Sequence, residues 1–364
     1  MRETETMADA RRYMEICNGC RYCEGYCAVF PAMEQRRDFT TGDLTYLANL
    51  CHNCMGCFYA CQYAPPHEFG VNVPRAFSLL RAESYAAYAW PAPFARAFAR
   101  NGVLVSLVTA IAIALVLLGV TALQTPDVLY GAHPVRPGAF YAVIPLWIMQ
   151  ATGIATFGFA LVALVMGGRA FWHDAGPSGR VSARALWRAA CDVLTLRNLG
   201  GGGHGCNDRD ERFSMTRRWL HHAMFYGFLL CFAATSTAFV YGTLLGWAAP
   251  YPLTSAPVLF GTVGGVLLIV GTVALFAMKL SGDPAPAAHR LLGADVALLL
   301  LLALTALTGL VLLMLRATGA MGIALAVHLG FVLALFALLP YSKMVHGVYR
   351  GLALLRAAAE RHST

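Results

Sequence analysis

Six stretches of this 364-residue chain stay apolar for about 20 residues or more, the length a helix needs to cross roughly 30 Å of hydrocarbon. They lie at about 103–123, 140–166, 219–245, 257–279, 292–315 and 320–340. Inside a bilayer each backbone N–H and C=O must be satisfied within its own segment, so such stretches are helices. Composition agrees: charged residues make up 13% of the chain, against about 25% in a soluble domain, and the mean hydropathy is +0.58. The expected fold is mostly α, with a six-helix transmembrane bundle over 101–364.

Residues 1–100 are different. They carry ten Arg, ten Asp or Glu, no long apolar run, and eight of the eleven cysteines. A soluble domain is therefore expected ahead of the membrane domain. Its opening, "MRETETMADARRYMEIC", is charged throughout and lacks the apolar core of a secretory signal, so this domain is expected to stay in the cytoplasm. Lys and Arg counts in the connectors give the same orientation. Connector 167–218 holds nine Arg, 279–290 holds Lys279 and Arg290, and the tail holds Lys343, Arg350, Arg356 and Arg361. The opposite connectors hold Arg136, none, and Arg316. Both termini are thus expected inside, in a cytoplasmic membrane. The net charge of +8 is accounted for by those inward connectors, so it does not point to nucleic acid.

The soluble part carries two runs of the form C-x2-C-x2-C-x3-C: Cys17, Cys20, Cys23, Cys27 and Cys51, Cys54, Cys57, Cys61. In a reducing compartment clustered thiols mean metal or redox chemistry rather than disulfides. Three thiolates in series on a short loop can wrap one face of an iron–sulfur cubane, and in two-cluster ferredoxins the last cysteine of each run serves the other cluster. The spacing therefore assigns Cys17, Cys20, Cys23 and Cys61 to one [4Fe–4S] cluster, and Cys51, Cys54, Cys57 and Cys27 to a second. Zinc fits poorly, because its sites pair two C-x2-C units across a longer gap. Small ferredoxins place Pro directly after the fourth cysteine, whereas Pro31 and Pro65 follow four residues later. Cys191 and Cys231 read as small packing residues; Cys206 is left open.

Histidine is rare in spans and marks function there. His328 and His346 stand 18 residues apart on the last apolar stretch, which is five turns, so both rings leave one face with about 27 Å of rise between them. His221 and His222 open the third span at its inner end. Two histidines at equal depth on different helices can clamp a b-type haem. Adjacent residues point about 100° apart, so one of the two faces the iron: His222 with His346 is the favoured pair, with His221 as the substitute. His328 is a further candidate ligand, and His289 reads as an interfacial residue. The run Gly200–Gly203, His204, Gly205, Cys206 reads as a flexible linker or as a docking surface or extra ligand site near the clusters. No Gly-Lys-Ser/Thr follows it, so it is not a phosphate loop.

The cysteine runs and the partly helical segment between them resemble, over roughly 17–85, the helical two-cluster domain of succinate dehydrogenase iron–sulfur subunits and heterodisulfide reductase C subunits. "HLGFVLALFALLPYSKMVH" resembles the last helix of the nitrate reductase gamma subunit, a di-haem b membrane anchor. That family has a second His pair ten residues apart, and here Cys231 and Phe232 stand ten residues after His221 and His222. The resemblance thus supports an inner haem, and an outer one on His328 only if another residue completes it. With "GGGGHGCNDRDERFSMTRRWLHH" included, the whole chain resembles the tricarballylate-utilisation protein B family, also called citrate-utilisation protein B. That resemblance implies electrons taken from a soluble FAD-dependent tricarballylate dehydrogenase and passed through iron–sulfur clusters and haem b to membrane quinone. The competing readings are a membrane redox sensor and a tricarboxylate transporter with an iron–sulfur domain.

Overall fold

The computed structural model describes residues 3–176 and 180–361; residues 177–179 of the connector lie outside them. Among the described residues there is no strand, only an isolated bridge between Cys206 and Ser214. The N-terminal unit holds α1 (Glu5–Cys20), α2 (Val29–Met33), α3 (Thr41–Leu50), α4 (Gly56–Tyr59) and α5 (Val73–Ala87). Local signals set their ends. Thr40 and Asp43 form a reciprocal capping box at the start of α3. The Asn72 side chain accepts from the Arg75 N–H ahead of α5, where Pro74 occupies a first-turn position that needs no donor.

The membrane unit follows with α6 (Asn101–Leu123), the short α7 (Pro126–Tyr130) and α8 (Ala139–Val143), then α9 (Leu146–Asp174), α10 (Ala183–Leu194), α11 (Thr216–Leu244), α12 (Ala256–Leu280), α13 (Leu292–Leu315), α14 (Met321–Leu338) and α15 (His346–Glu360). Among the described residues six helical segments are long and apolar enough to span a membrane. Val103, Leu107, Ile111, Leu115 and Leu118 recur at helical spacing on the outside of α6 and are exposed, as a lipid-facing stripe would be. The second span begins at Leu146 rather than near residue 140. Proline disfavours helix in the residue before it, and Ile144, ahead of Pro145, is extended.

The last span is not one helix. Pro340 cannot donate to the ladder, and after α14 the chain makes two 3₁₀ turns with Ser342 extended between them. Ser342 then caps the restart by accepting from the Met344 N–H. The expectation that His328 and His346 share one continuous face is therefore corrected.

α11 and α12 pack backbone to backbone: a Cβ on Gly227, Gly264 or Gly271 would fall within 3 Å of the opposing main chain, the close approach small residues permit in membranes. Aromatic side chains link α11 to α9 and α14, with Phe157 5.3 Å from Phe232 and 5.2 Å from Phe336 between ring centres.

α15 leaves the bundle and enters the N-terminal unit. Tyr349, Ala353, Leu354 and Ala357 join its core with Met7, Leu47 and Phe77. At the far end Glu360 bonds Arg36 at 2.6 Å and Arg356 at 2.9 Å, and accepts from the Tyr46 hydroxyl at 3.1 Å. Both guanidiniums lie over the Tyr46 ring.

Candidate functional site

Cys17 and Cys20 sit on the last turn of α1, which ends where Arg21 turns left-handed and its N–H bonds the Cys17 carbonyl. The second run starts where α3 stops. Asn53 and Met55 both have positive φ, a conformation that costs a non-glycine residue about 1–2 kcal/mol, and they fold the Cys51–Cys57 loop tightly. Cys17, Cys20, Cys23 and Cys61 line one hollow together with Cys57. Cys27, Cys51, Cys54 and Cys57 line a second, narrower one. The structure thus brings Cys61 to the first run and Cys27 to the second.

Burial first, and neighbouring thiols second, push Cys17 and Cys23 up to about 12; burial also raises Cys27 and Cys57. Thiols so grouped become thiolates together only if a cation offsets the charge. Among the described residues no three His, Cys, Asp or Glu side chains close on a single-ion site. Four thiols ringing a hollow without converging on one point suit a cubane, in which each thiolate takes a different iron, better than one tetrahedral ion.

The glycine-rich connector packs against Cys54 and is not a free linker. The Asn207 N–H bonds the Cys54 carbonyl at 2.8 Å, and a Cβ on Gly201 would lie 4.0 Å from the Cys54 sulfur. Cys206 is buried beside Cys54 and Leu199, its thiol donating to the Leu199 carbonyl at 3.2 Å. Gly205 has φ +114°, and any Cβ there would meet the Ser214 backbone. Cys191 is half-buried on α10, and Cys231 packs between α11 and α12.

Arginines hold the second loop from the membrane side. Arg81 Nη1 donates to the Ala48 and Cys51 carbonyls at 3.0 and 2.8 Å, and Arg350 Nη2 to the Cys51 carbonyl at 2.8 Å. Arg217 Nη1 donates to the Asn53 carbonyl at 2.5 Å and pairs with Asp208 at 3.4 Å. Burial first, then Arg81, lowers Arg350 to about 10.

One helical turn farther into the bundle, the rings of His221 and His346 stand with centres 6.4 Å apart and planes 25° from parallel. The structure therefore pairs His346 with His221 rather than with His222. His222 stacks on Tyr226 at 5.8 Å instead. His346 Nδ1 donates to the Lys343 carbonyl at 2.6 Å; that bond fixes the tautomer and leaves Nε2 with the lone pair that a metal could take. A metal bonded to one nitrogen of each imidazole at about 2 Å would hold the ring centres roughly 6 Å apart, so His221 and His346 are spaced as two residues that could hold one iron would be. His328 lies elsewhere, its Nδ1 3.2 Å from the Thr308 hydroxyl and its ring in the room that Gly309 leaves. His289 is bound to the Pro284 carbonyl at 3.2 Å.

Sequence reasoning missed three groups here. Arg217 and His221, and likewise His346 and Arg350, are four apart, a legible same-face signal. Asp295 is the third: buried in α13, it bonds both Lys279 and Lys343, and a lone acid in an apolar run is its signal.

Two family models match the chain: citrate utilization protein B over residues 96–364, and its Fer4-like domain over residues 10–87. Citrate utilization protein B of Escherichia coli is 46% identical over 359 residues, covering 98% of this chain and 93% of its own. No solved structure matches.

Proposed function

The chain belongs to the citrate utilization protein B family, and from that premise we propose that it is a membrane electron-transfer subunit. A reduced FAD-dependent dehydrogenase, acting on tricarballylate, is its donor and membrane quinone its acceptor. When bound, two [4Fe–4S] clusters and a haem b supply the one-electron steps between them.

The chain's own residues divide the work. Cys17, Cys20, Cys23 and Cys61 hold the outer cluster, close to the surface where the exposed Tyr22 and Arg21 border the hollow. Cys27, Cys51, Cys54 and Cys57 hold the inner cluster, shielded by Gly201 and Cys206. His221 and His346 hold the haem iron, and Lys343 fixes the His346 ring by its carbonyl. The N-terminal unit and both termini face the cytoplasm, on the arginine count of the connectors.

The observation that supports this reading is the succession from the Cys51–Cys54 loop, to Arg217 and Arg350 bonded to it, to His221 and His346 one turn along the same helices with ring centres 6.4 Å apart. Anaerobic purification of the full chain with iron, sulfide and haem quantitation tests it. About eight non-haem irons and one haem per chain are expected, reducible by the dehydrogenase and reoxidised by quinone. A colourless, sulfide-free protein overturns the proposal.

A further inference from the structure

Arg217 precedes His221 by four residues on α11, and Arg350 follows His346 by four on α15. The two helices run in opposite senses past the pair, since α11 starts at the Cys51–Cys54 loop and α15 ends deep in the N-terminal unit. Each arginine Cα therefore lies about 6 Å along its helix from that of its histidine, on the same side, toward that unit, and both arginines are charged neighbours of His221. They flank one edge of the space between the imidazoles.

The charge of Arg350 is poorly matched. Arg217 has Asp208 at 3.4 Å. Among the described residues Arg350 forms no ion pair, and its buried Nε has no hydrogen-bond partner. Its charged neighbours include Arg81 and Arg217, two further cations. Asp295 is already engaged by two lysines. A buried donor left unpaired costs about 1–3 kcal/mol, more when charged, so this edge calls for an anion.

We infer that Arg217 and Arg350 form a carboxylate-binding pocket for the propionate groups of the haem, whose carboxylate edge points toward the inner cluster. This rests on the haem reading above. Arginine suits the task because its planar fork can bind a carboxylate oxygen while other N–H groups keep their carbonyl partners. Arg350 would then bond a propionate through Nε and the Cys51 carbonyl through Nη2, tying the porphyrin to the loop that carries two cluster thiols. The same positive charge beside the iron favours its reduced state.

The test compares iron protoporphyrin IX with its dimethyl ester, each titrated by absorbance into full-length chain produced without haem. The unaltered chain should bind the diester roughly tenfold or more weakly, the worth of a charged hydrogen bond. In Arg350→Gln that penalty should largely vanish, and the haem midpoint potential should fall, while Arg350→Lys recovers the potential in part. Equal binding of both porphyrins by the unaltered chain overturns the pocket and leaves the haem reading standing. A chain that binds neither overturns both. If Arg350→Gln loses its clusters, the two porphyrins on the unaltered chain still decide.

Discussion

His221 and His346 stand 125 residues apart in sequence, yet their rings lie centre to centre at 6.4 Å between α11 and α15. His222, one residue away, stacks on Tyr226 instead. His221→Ala should therefore abolish the reduced haem band, whereas His222→Ala should leave haem content near that of the unaltered chain. Haem assays of the two purified variants check this, and the reverse ranking would move the ligand to His222.

The thiol grouping makes its own prediction. Cys61→Ser should remove the same cluster as Cys17→Ser, and Cys27→Ser the same one as Cys54→Ser, each taking about half the non-haem iron. Electron paramagnetic resonance of the reduced variants identifies the surviving cluster. If Cys61→Ser and Cys54→Ser lose the same signal, the two runs do not exchange their last cysteines.

Gly205→Ala should loosen the wall beside Cys54. Its φ of +114° and the Ser214 backbone leave no room for a methyl group, and such strain is worth roughly 1–3 kcal/mol. A lower melting temperature and faster loss of iron to a chelator are expected, with Gly19→Ala, where a Cβ meets nothing, as the control. Equal iron loss from both would mean that the connector gives no shelter.

Acid should undo the clasp between α15 and the N-terminal unit. Burial alone would raise Asp43, but the Thr40 hydroxyl and the Arg36 guanidinium outweigh it and hold the carboxyl below its ordinary 3.8. A carboxylate with a lowered folded value stabilises fully above 3.8 and loses that contribution as pH falls through the lower value. Asp43→Asn should thus cost stability at pH 7, by about 1–3 kcal/mol, with the gap to the unaltered chain closing below pH 4. Thermal unfolding across that range measures it; a gap that widens toward acid would contradict the assignment.

The spans and the thiol spacing were legible because each is a local pattern imposed by solvent or by a cubane. The choice between His221 and His222 was not. Gly227 marks the α11 face toward α12, and at 100° per residue His221 and His222 lie about 120° and 140° from it, on opposite sides. Only the long-range position of α15 separates them. The break at Pro340 and Ser342 was in plain view, but unbroken hydropathy read as one continuous helix. The glycine connector looked loose because positive φ at Gly201 and Gly205 signals order only once the partners, Cys54 and Ser214, are known.

α15 gives the chain an order of assembly. The interior of the first hundred residues is completed by α15, a helix synthesised after the described spans, so that interior closes only once α15 has emerged. Thiols brought together earlier would stand in a half-built shell, and closure is a late event, timed by the arrival of that strap.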